Sequence, residues 1–433
     1  MNPLLYLPVL YFLSCETAST KFDRQFTDEE ALKIFHRHQD NIPNYHKTHL
    51  KTHSSNRAKR DVRPVEFEID GETYRLNLQP IKYDVMSTDI PVWIAETDPN
   101  KPTGRTFKRV DPKSIKINGL VYQDAENAAT LLAYYKNDYI HYDGIFGESS
   151  KSRVVRSILE KWYTREPMDH LIDSHVVYDV ESKFKSHEDE ELVKSMMHIK
   201  ENVERLKEPL DVMYPKLLLV IEYELFKLFN EDVQELIRYQ TLLWNAINLK
   251  YRSVESPKIK LVITGIVIAK DYTVFPYIYN ARNETEMNSI NHLKLLVGGA
   301  EYFKEVFPKE LDFKNYDSSI TLISSTYDTN GVAGSAFPGQ ICGDYYNIGF
   351  IGDDANFDGL FTAVHEIGHL LNLPHDGTVC KDKYNESIGH IMAPQTHWVE
   401  KYVWSKCSIA VLQDFASRKI AECTKFSRRT ERP

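Results

Sequence analysis

Residues Thr362–Gly377 read T-A-V-H-E-I-G-H-L-L-N-L-P-H-D-G, and the rest of the chain is understood from this stretch outward. His365 and His369 are four residues apart, so on a helix they project from one face, about 40° apart in direction and a turn apart in height. Two neutral imidazoles so placed can hold one divalent ion, and Glu366 can reach a water beside it. His375 lies six residues beyond His369, where a continuing helix would point it away. The helix therefore has to end first. Asn372 tolerates a left-handed backbone, and Pro374 cannot continue a helix. A chain turned back there brings His375 to the same ion, and the stretch reads as a catalytic zinc site. H-E-x-x-H arises by accident in roughly a few per cent of chains this long; requiring the third histidine lowers that to on the order of one in a thousand.

Around this stretch lie Cys342, Cys380, Cys407 and Cys423, all in the last quarter of the chain. With Cys15 set aside they are even in number, which in an exported chain implies two disulfides with three possible pairings. No C-x-x-C occurs, so a cysteine-rich zinc ribbon is excluded. The apolar run Leu4–Leu13 has the length of a signal-peptide core and is too short to span a bilayer. Cleavage is expected near Cys15 to Ser19, with a lipoprotein signal at Cys15 the lesser alternative. No later segment is long and apolar enough for a transmembrane helix, so a secreted, extracellular product is expected. Asn283-Glu-Thr and Asn385-Glu-Ser are candidate glycosylation sites. A net charge of -9 and a pI near 6.0 argue against a nucleic-acid-binding surface.

A chain of 433 residues has room for two or three domains. Residues 20–61 are polar, with five histidines between His36 and His53, and are expected to be a poorly packed leader. Arg57-Ala-Lys-Arg60 within them has the form cut by furin-like convertases. From Val65 to about Val180 short alternating strands predict a separate β-rich domain, with a hairpin turned at Asp70-Gly71 and a second turn of the same style at Tyr142–Gly147. A charged stretch from Glu181 to Glu208 reads as a linker. Strands then alternate with helices: Leu217–Ile221, a helix over Val233–Ile247, Ile259–Ala269, a helix from Ile290 to Phe307 bounded by Pro308, Ser319–Ser324 and Asn347–Ile351. Gly331–Ala336 is rich in small residues and suits an exposed edge on which an extended peptide can pair. The histidine helix is expected to start near Asp358 as its cap, with Asp353 and Asp354 favourable at its positive end. A last helix is expected from Ser408 to Glu422.

H-E-x-x-H-x-x-N-x-x-H-D followed by Ile391-Met392-Ala393-Pro394 resembles the metzincin zinc endopeptidases. Asp376 and Trp404-Ser-Lys-Cys407-Ser resemble the adamalysin (reprolysin) branch, whose arthropod venom and salivary members share this layout. The resemblance implies an α/β (α+β) catalytic domain over residues 213–425, with a mixed twisted sheet, helices and an irregular C-terminal subdomain. It implies a β-rich propeptide domain with its linker over 62–212, after a signal peptide at 1–19 and before a tail at 426–433. The implied site is one catalytic Zn²⁺ on His365, His369 and His375, with Glu366 as general base, Met392 in a turn beneath the metal, and Asp376 bracing the loop. The implied disulfides are Cys342–Cys423 and Cys380–Cys407, and the implied partners are extended polypeptide substrates of a monomeric enzyme.

Three departures stand out. Asn372 replaces a usual glycine. No cysteine lies between Cys15 and Cys342 to block the metal from the propeptide. Lys216 and Phe426 replace expected calcium ligands, which puts a calcium site in doubt. The rival readings are a non-catalytic secreted zinc-binding toxin, against which Glu366 counts, and a matrix or adhesion protein working through its β-rich region.

Overall fold

The computed structural model describes residues 26–52, 63–81, 85–136, 139–148, 151–158, 174–180, 204–283, 288–377, 390–394 and 402–425. The signal region, Arg57–Arg60, most of the charged linker, Cys380, Asn385, Phe426 and the tail lie outside them. Over residues 26–52 the expectation of a poorly packed leader is overturned. Helix α1 (Asp28–Phe35) carries a capping box, in which the Thr27 hydroxyl accepts from Glu30 N and the Glu30 side chain accepts from Thr27 N. It buries Ala31, Ile34 and Phe35, and the Phe35 ring packs 5.4 Å from that of Tyr178. The histidine-rich flank masks a helix this short, with so few apolar residues.

The chain continues through β1 (Tyr45–His49), β2 (Lys51–Thr52), β3 (Arg63–Ile69), β4 (Glu72–Pro80), β5 (Val92–Thr97), β6 (Arg105–Arg109), β7 (Leu120–Asp124), β8 (Ala129–Lys136), β9 (Tyr139–Phe146), β10 (Arg153–Ser157) and β11 (Ser174–Asp179). Nine of these strands form an antiparallel sheet in the order β1-β11-β10-β9-β8-β7-β4-β3-β2. The β3–β4 hairpin turns at Asp70 and Gly71, with φ of 52° and 81°, as a primed turn requires. The Thr48 hydroxyl donates to Glu68 O across 2.8 Å, so β1 reaches β3 and the sheet curls almost into a barrel. Tyr142–Gly147 does not open a second hairpin: Tyr142–Phe146 is the body of β9. Gly144 stands there because a Cβ would lie 2.1 Å from Thr130 O. Alternation along the strands sends Phe67, Leu131, Tyr142 and Val177 into the barrel and Leu132, Val154 and Val176 outward into the main core.

β5 and β6 leave this barrel. They form the edge of a second sheet with β13 (Lys216–Ile221), β15 (Val262–Ala269), β16 (Ser318–Ser324), β17 (Gly334–Ala336) and β18 (Ile348–Asp353), while β12 (Val212–Met213) and β14 (Lys258–Ile259) form a small separate pair. The order is β17-β18-β16-β13-β15-β5-β6, parallel from β18 to β5 and antiparallel at both ends. β13 is the near-continuous apolar run expected of a strand covered on both faces. Leu217, Leu219 and Ile221 face one core, and Leu218 and Val220 face the other.

After α1, the α-helices among the described residues are α2 (Tyr223–Lys227), α3 (Val233–Tyr251), α4 (Pro276–Ala281), α5 (His292–Glu301), α6 (Phe307–Glu310), α7 (Gly359–Leu370) and α8 (Lys406–Ala416). Pro308 is the second residue of α6, joined to α5 by a π-helical turn, and so does not end a helix as expected. α8 stops at Ala416, and a 3₁₀ turn over Lys419–Thr424 completes the expected last helix. α3 is buried almost all round because it lies between the barrel and the second sheet. Gln123 Nε2 of the barrel donates to Asn245 O at 2.9 Å, while Tyr251 OH donates to Val364 O of α7 at 2.6 Å. Among the described residues no helix is long and apolar enough to cross a membrane.

Candidate metal centre

α7 starts differently from the sequence expectation. Asp358 is itself helical in backbone and gives no side-chain cap; Asp353 Oδ1 accepts from Gly359 N at 3.3 Å instead. Leu360, Ala363, Val364, Ile367 and Leu370 fix the helix in the core, and Tyr251 and Tyr402 donate to its Val364 and Phe361 carbonyls. The helix ends as the sequence requires. Asn372 has φ 71°, its N–H donates to His369 O (2.7 Å), and Leu373 N–H donates to Gly368 O (2.9 Å). These two bonds are the Schellman pattern around a left-handed residue. Replacing Asn372 with glycine is expected to change stability by no more than about 1 kcal/mol. Valine at the same position should cost more than that, because a β-branched residue resists a positive φ. Urea melts of the two variants check the contrast.

The turn brings the three histidines together. His375 Nε2 lies 3.2 Å from His369 Nε2 and 3.2 Å from His365 Nε2, with all three residues buried. His365 Nδ1 faces Ile391 O at 2.9 Å and His369 Nδ1 faces Leu373 O at 2.7 Å. A carbonyl can only accept, so these two Nδ1 atoms carry the protons and the two Nε2 atoms present lone pairs. His375 Nε2 stands 3.2 Å from each of them, so three ring nitrogens converge on a point where one cation can lie. Ligands about 2.0–2.1 Å from a tetrahedral zinc sit about 3.3 Å apart, which the spacing matches.

Supporting groups surround the triad. Asp376 N donates to Met392 O (2.8 Å), and Asp376 Oδ1 accepts from Ser405 Oγ (2.6 Å), whose oxygen also accepts from Ser408 N at the start of α8. Met392 is fully buried, and a Cβ on Gly368 would lie 2.7 Å from its sulfur, so a glycine is needed there. Glu366 is buried beside the triad, with Gly334 against it: a Cβ on Gly334 would lie 2.9 Å from Glu366 Cγ and 2.6 Å from Thr362 Cγ2. Gly334→Ala should therefore displace Glu366 and lower kcat by roughly tenfold or more with KM little changed; steady-state kinetics measures it. β17 is the last strand in hydrogen-bonding order, as expected, yet Gly334, Ser335 and Ala336 are buried, so this edge is not open to solvent here.

Sequence reasoning missed Ser405, Gly334 and the two bracing tyrosines. Ser405 stood in a quoted motif but has no distinguishing chemistry alone, and a tyrosine in a chain with 26 of them gives no signal. The disulfide Cys342–Cys423 is present. Cys407 is disulfide-bonded, and Cys380 lies outside the described residues. Asn283 is exposed. Of the leader histidines, His36 is buried while His38 and His46 pair with Asp28 and Asp70 near the surface.

Residues 237–376 match the family described as Metallo-peptidase family M12B Reprolysin-like. Venom metalloproteinase 3 of Eulophus pennicornis is 33% identical over 421 residues, covering 93% of this chain and 95% of that protein. Venom metalloproteinase 1 of the same organism is 31% identical, covering 94% of this chain and 91% of that one. Metalloproteinase-II from Bacteroides fragilis superposes with a TM-score of 0.38 at 12% identity, over 82% of this chain and 92% of that one.

Proposed function

The chain belongs to the reprolysin-like metallopeptidases of family M12B, zinc metalloendopeptidases acting on polypeptides, and from that premise we propose that it is a secreted endopeptidase made as a precursor, with Glu366 as its general base. The observation that carries this is the convergence of three buried imidazoles with Glu366 beside them. His365, His369 and His375 would hold one Zn²⁺, which when bound supplies Lewis acidity to a scissile carbonyl and to the attacking water. Glu366 takes one proton from that water as its oxygen adds to the carbonyl carbon. It then gives the proton to the amide nitrogen as the C–N bond breaks, releasing an amine and a carboxylic acid whose remaining proton is taken up by the amine or solvent. Asp376 and Met392 position the His375 loop and touch no substrate. A fluorogenic peptide assay with and without chelator tests the reading. Cleavage abolished by chelator and restored by Zn²⁺ supports it, and chelator-resistant cleavage or none in processed protein sinks it.

The apolar run Leu4–Leu13, the Cys342–Cys423 disulfide and the venom relatives support secretion, with Asn283 and Asn385 as glycosylation sites. The barrel packed on α3, the β5–β6 hairpin added to the second sheet and the buried β17 edge support a precursor whose N-terminal region is held against the enzyme. Export as a monomer fits these features.

A structural calcium ion is not part of this reading. Lys216 Nζ pairs with Asp317 Oδ1 at 2.8 Å and donates to Cys423 O at 3.1 Å, so a fixed ammonium already ties these groups together. Millimolar calcium should move the Tm of the full chain by less than about 1 °C; a larger rise would contradict this.

A further inference from the structure

Three carboxylates lie under the start of α7 and play no part in the histidine site. Asp353, Asp354 and Asp358 are 0%, 3% and 1% exposed, and one oxygen of each lies within 4.8 Å of the others. Some of their oxygens are satisfied. Asp353 Oδ1 accepts from Tyr239 OH (2.9 Å) and Gly359 N, Asp358 Oδ1 accepts from Asp354 N (2.8 Å), and Asp354 Oδ1 accepts from Asn356 N (3.2 Å). Oδ2 of Asp353 and Oδ2 of Asp358 receive no N–H or hydroxyl donor, and the two carboxyls lie close enough to share a proton between them. Burial raises the Asp353 carboxyl to about 6, and burial together with Asp354 and Asp353 holds the Asp358 carboxyl well above its usual range. Buried carboxylates crowded this closely need a positive partner or a proton.

The positive partner comes from far away in sequence. Arg37 follows His36, the left-handed residue that ends α1, and its Nη2 lies 2.5 Å from Asp354 Oδ2. The Arg37 side chain is 13% exposed against 3% for Asp354, so the pair meets solvent at its arginine end. Arg156 of β10 approaches the same loop but donates to Ala355 O (3.4 Å), a backbone group.

We propose that Asp353, Asp354 and Asp358 form a cation seat beneath the active-site helix, occupied by Arg37 in the full chain and by a hard divalent cation such as calcium once Arg37 is withdrawn. Oxygens on opposite sides of a calcium ion lie about 4.8 Å apart, and carboxylates are its preferred ligands, so the cluster has the right size and chemistry. The Oδ2 atoms of Asp353 and Asp358 supply coordination once any shared proton is displaced, and the solvent-facing position of Arg37 is where a cation would enter. Removal of the N-terminal segment thereby exchanges a fixed charge for a diffusible one at the foot of α7, apart from the zinc.

The test reads cation binding, so it does not depend on proteolysis. Purified full-chain wild type, Arg37→Ala and Arg37→Ala/Asp354→Asn are melted with and without calcium alone, then titrated with terbium, whose emission the nearby Tyr239 sensitises. Calcium should raise the Tm of Arg37→Ala by about 3 °C or more and that of the other two by under about 1 °C. Terbium emission should rise at least fivefold more in Arg37→Ala than in either of them. If Arg37→Ala does not accumulate folded, refolding it in calcium should restore a cooperative melt. No calcium response or rescue in Arg37→Ala, or a response that persists with Asp354→Asn, overturns the proposal.

Discussion

Glu366→Gln protein is expected to bind its metal as wild type does and to cleave peptide at least about a thousandfold more slowly, the loss falling on kcat. Glutamine keeps the shape that Gly334 accommodates and leaves all three histidines untouched. What it removes is a basic oxygen able to take a proton from water and release it to the leaving amine. Metal content measured beside kcat separates this from a damaged site. Lost activity with retained metal assigns the proton transfer to Glu366, whereas near-normal activity would move the base elsewhere and revive the non-catalytic readings of this carboxylate.

Opening the Cys342–Cys423 disulfide should have the largest effect on stability. The bridge spans 81 residues and encloses β18, α7 and α8. Constraining a loop of that length in the unfolded chain contributes about 4 kcal/mol, and losing it should lower Tm by about 10 °C in a domain of this size. The consequence extends to the metal. Just before Cys342, Gly339 N donates to His369 O (2.8 Å) and Ile341 N donates to Leu370 O (3.0 Å), so this loop satisfies the last carbonyls of α7. Cys342→Ser and Cys423→Ser should each weaken metal retention against a competing chelator as well as lowering Tm, and the double variant should match either single one. A double variant that melts with wild type would show that hydrogen bonds alone hold the end of α7.

The histidine site was legible because its information is local. Spacing along a helix, one left-handed residue and one proline determine where three imidazoles go, and Asn372 at φ 71° takes the conformation its position demands. β13 was equally plain, since five consecutive apolar residues describe a strand covered on both faces. What escaped depends on pairings between distant segments. Phe26–Phe35 looks solvated until the Tyr178 ring and the core receive it. Nothing in Val92–Arg109 distinguishes a barrel hairpin from one that adds to β15, because alternation specifies a face and not a neighbour. Asp358 carries the right side chain for a cap, but its backbone is already helical and Asp353 performs that task.

The central claim is that His365, His369 and His375 together hold one zinc ion, and metal analysis of the purified chain tests it most directly. Wild type should carry one zinc per chain after exhaustive dialysis, and His375→Ala, which leaves the helix and both of its histidines in place, should lose it under the same conditions. A wild-type chain without zinc, or a His375→Ala chain that keeps a full equivalent, would contradict the account.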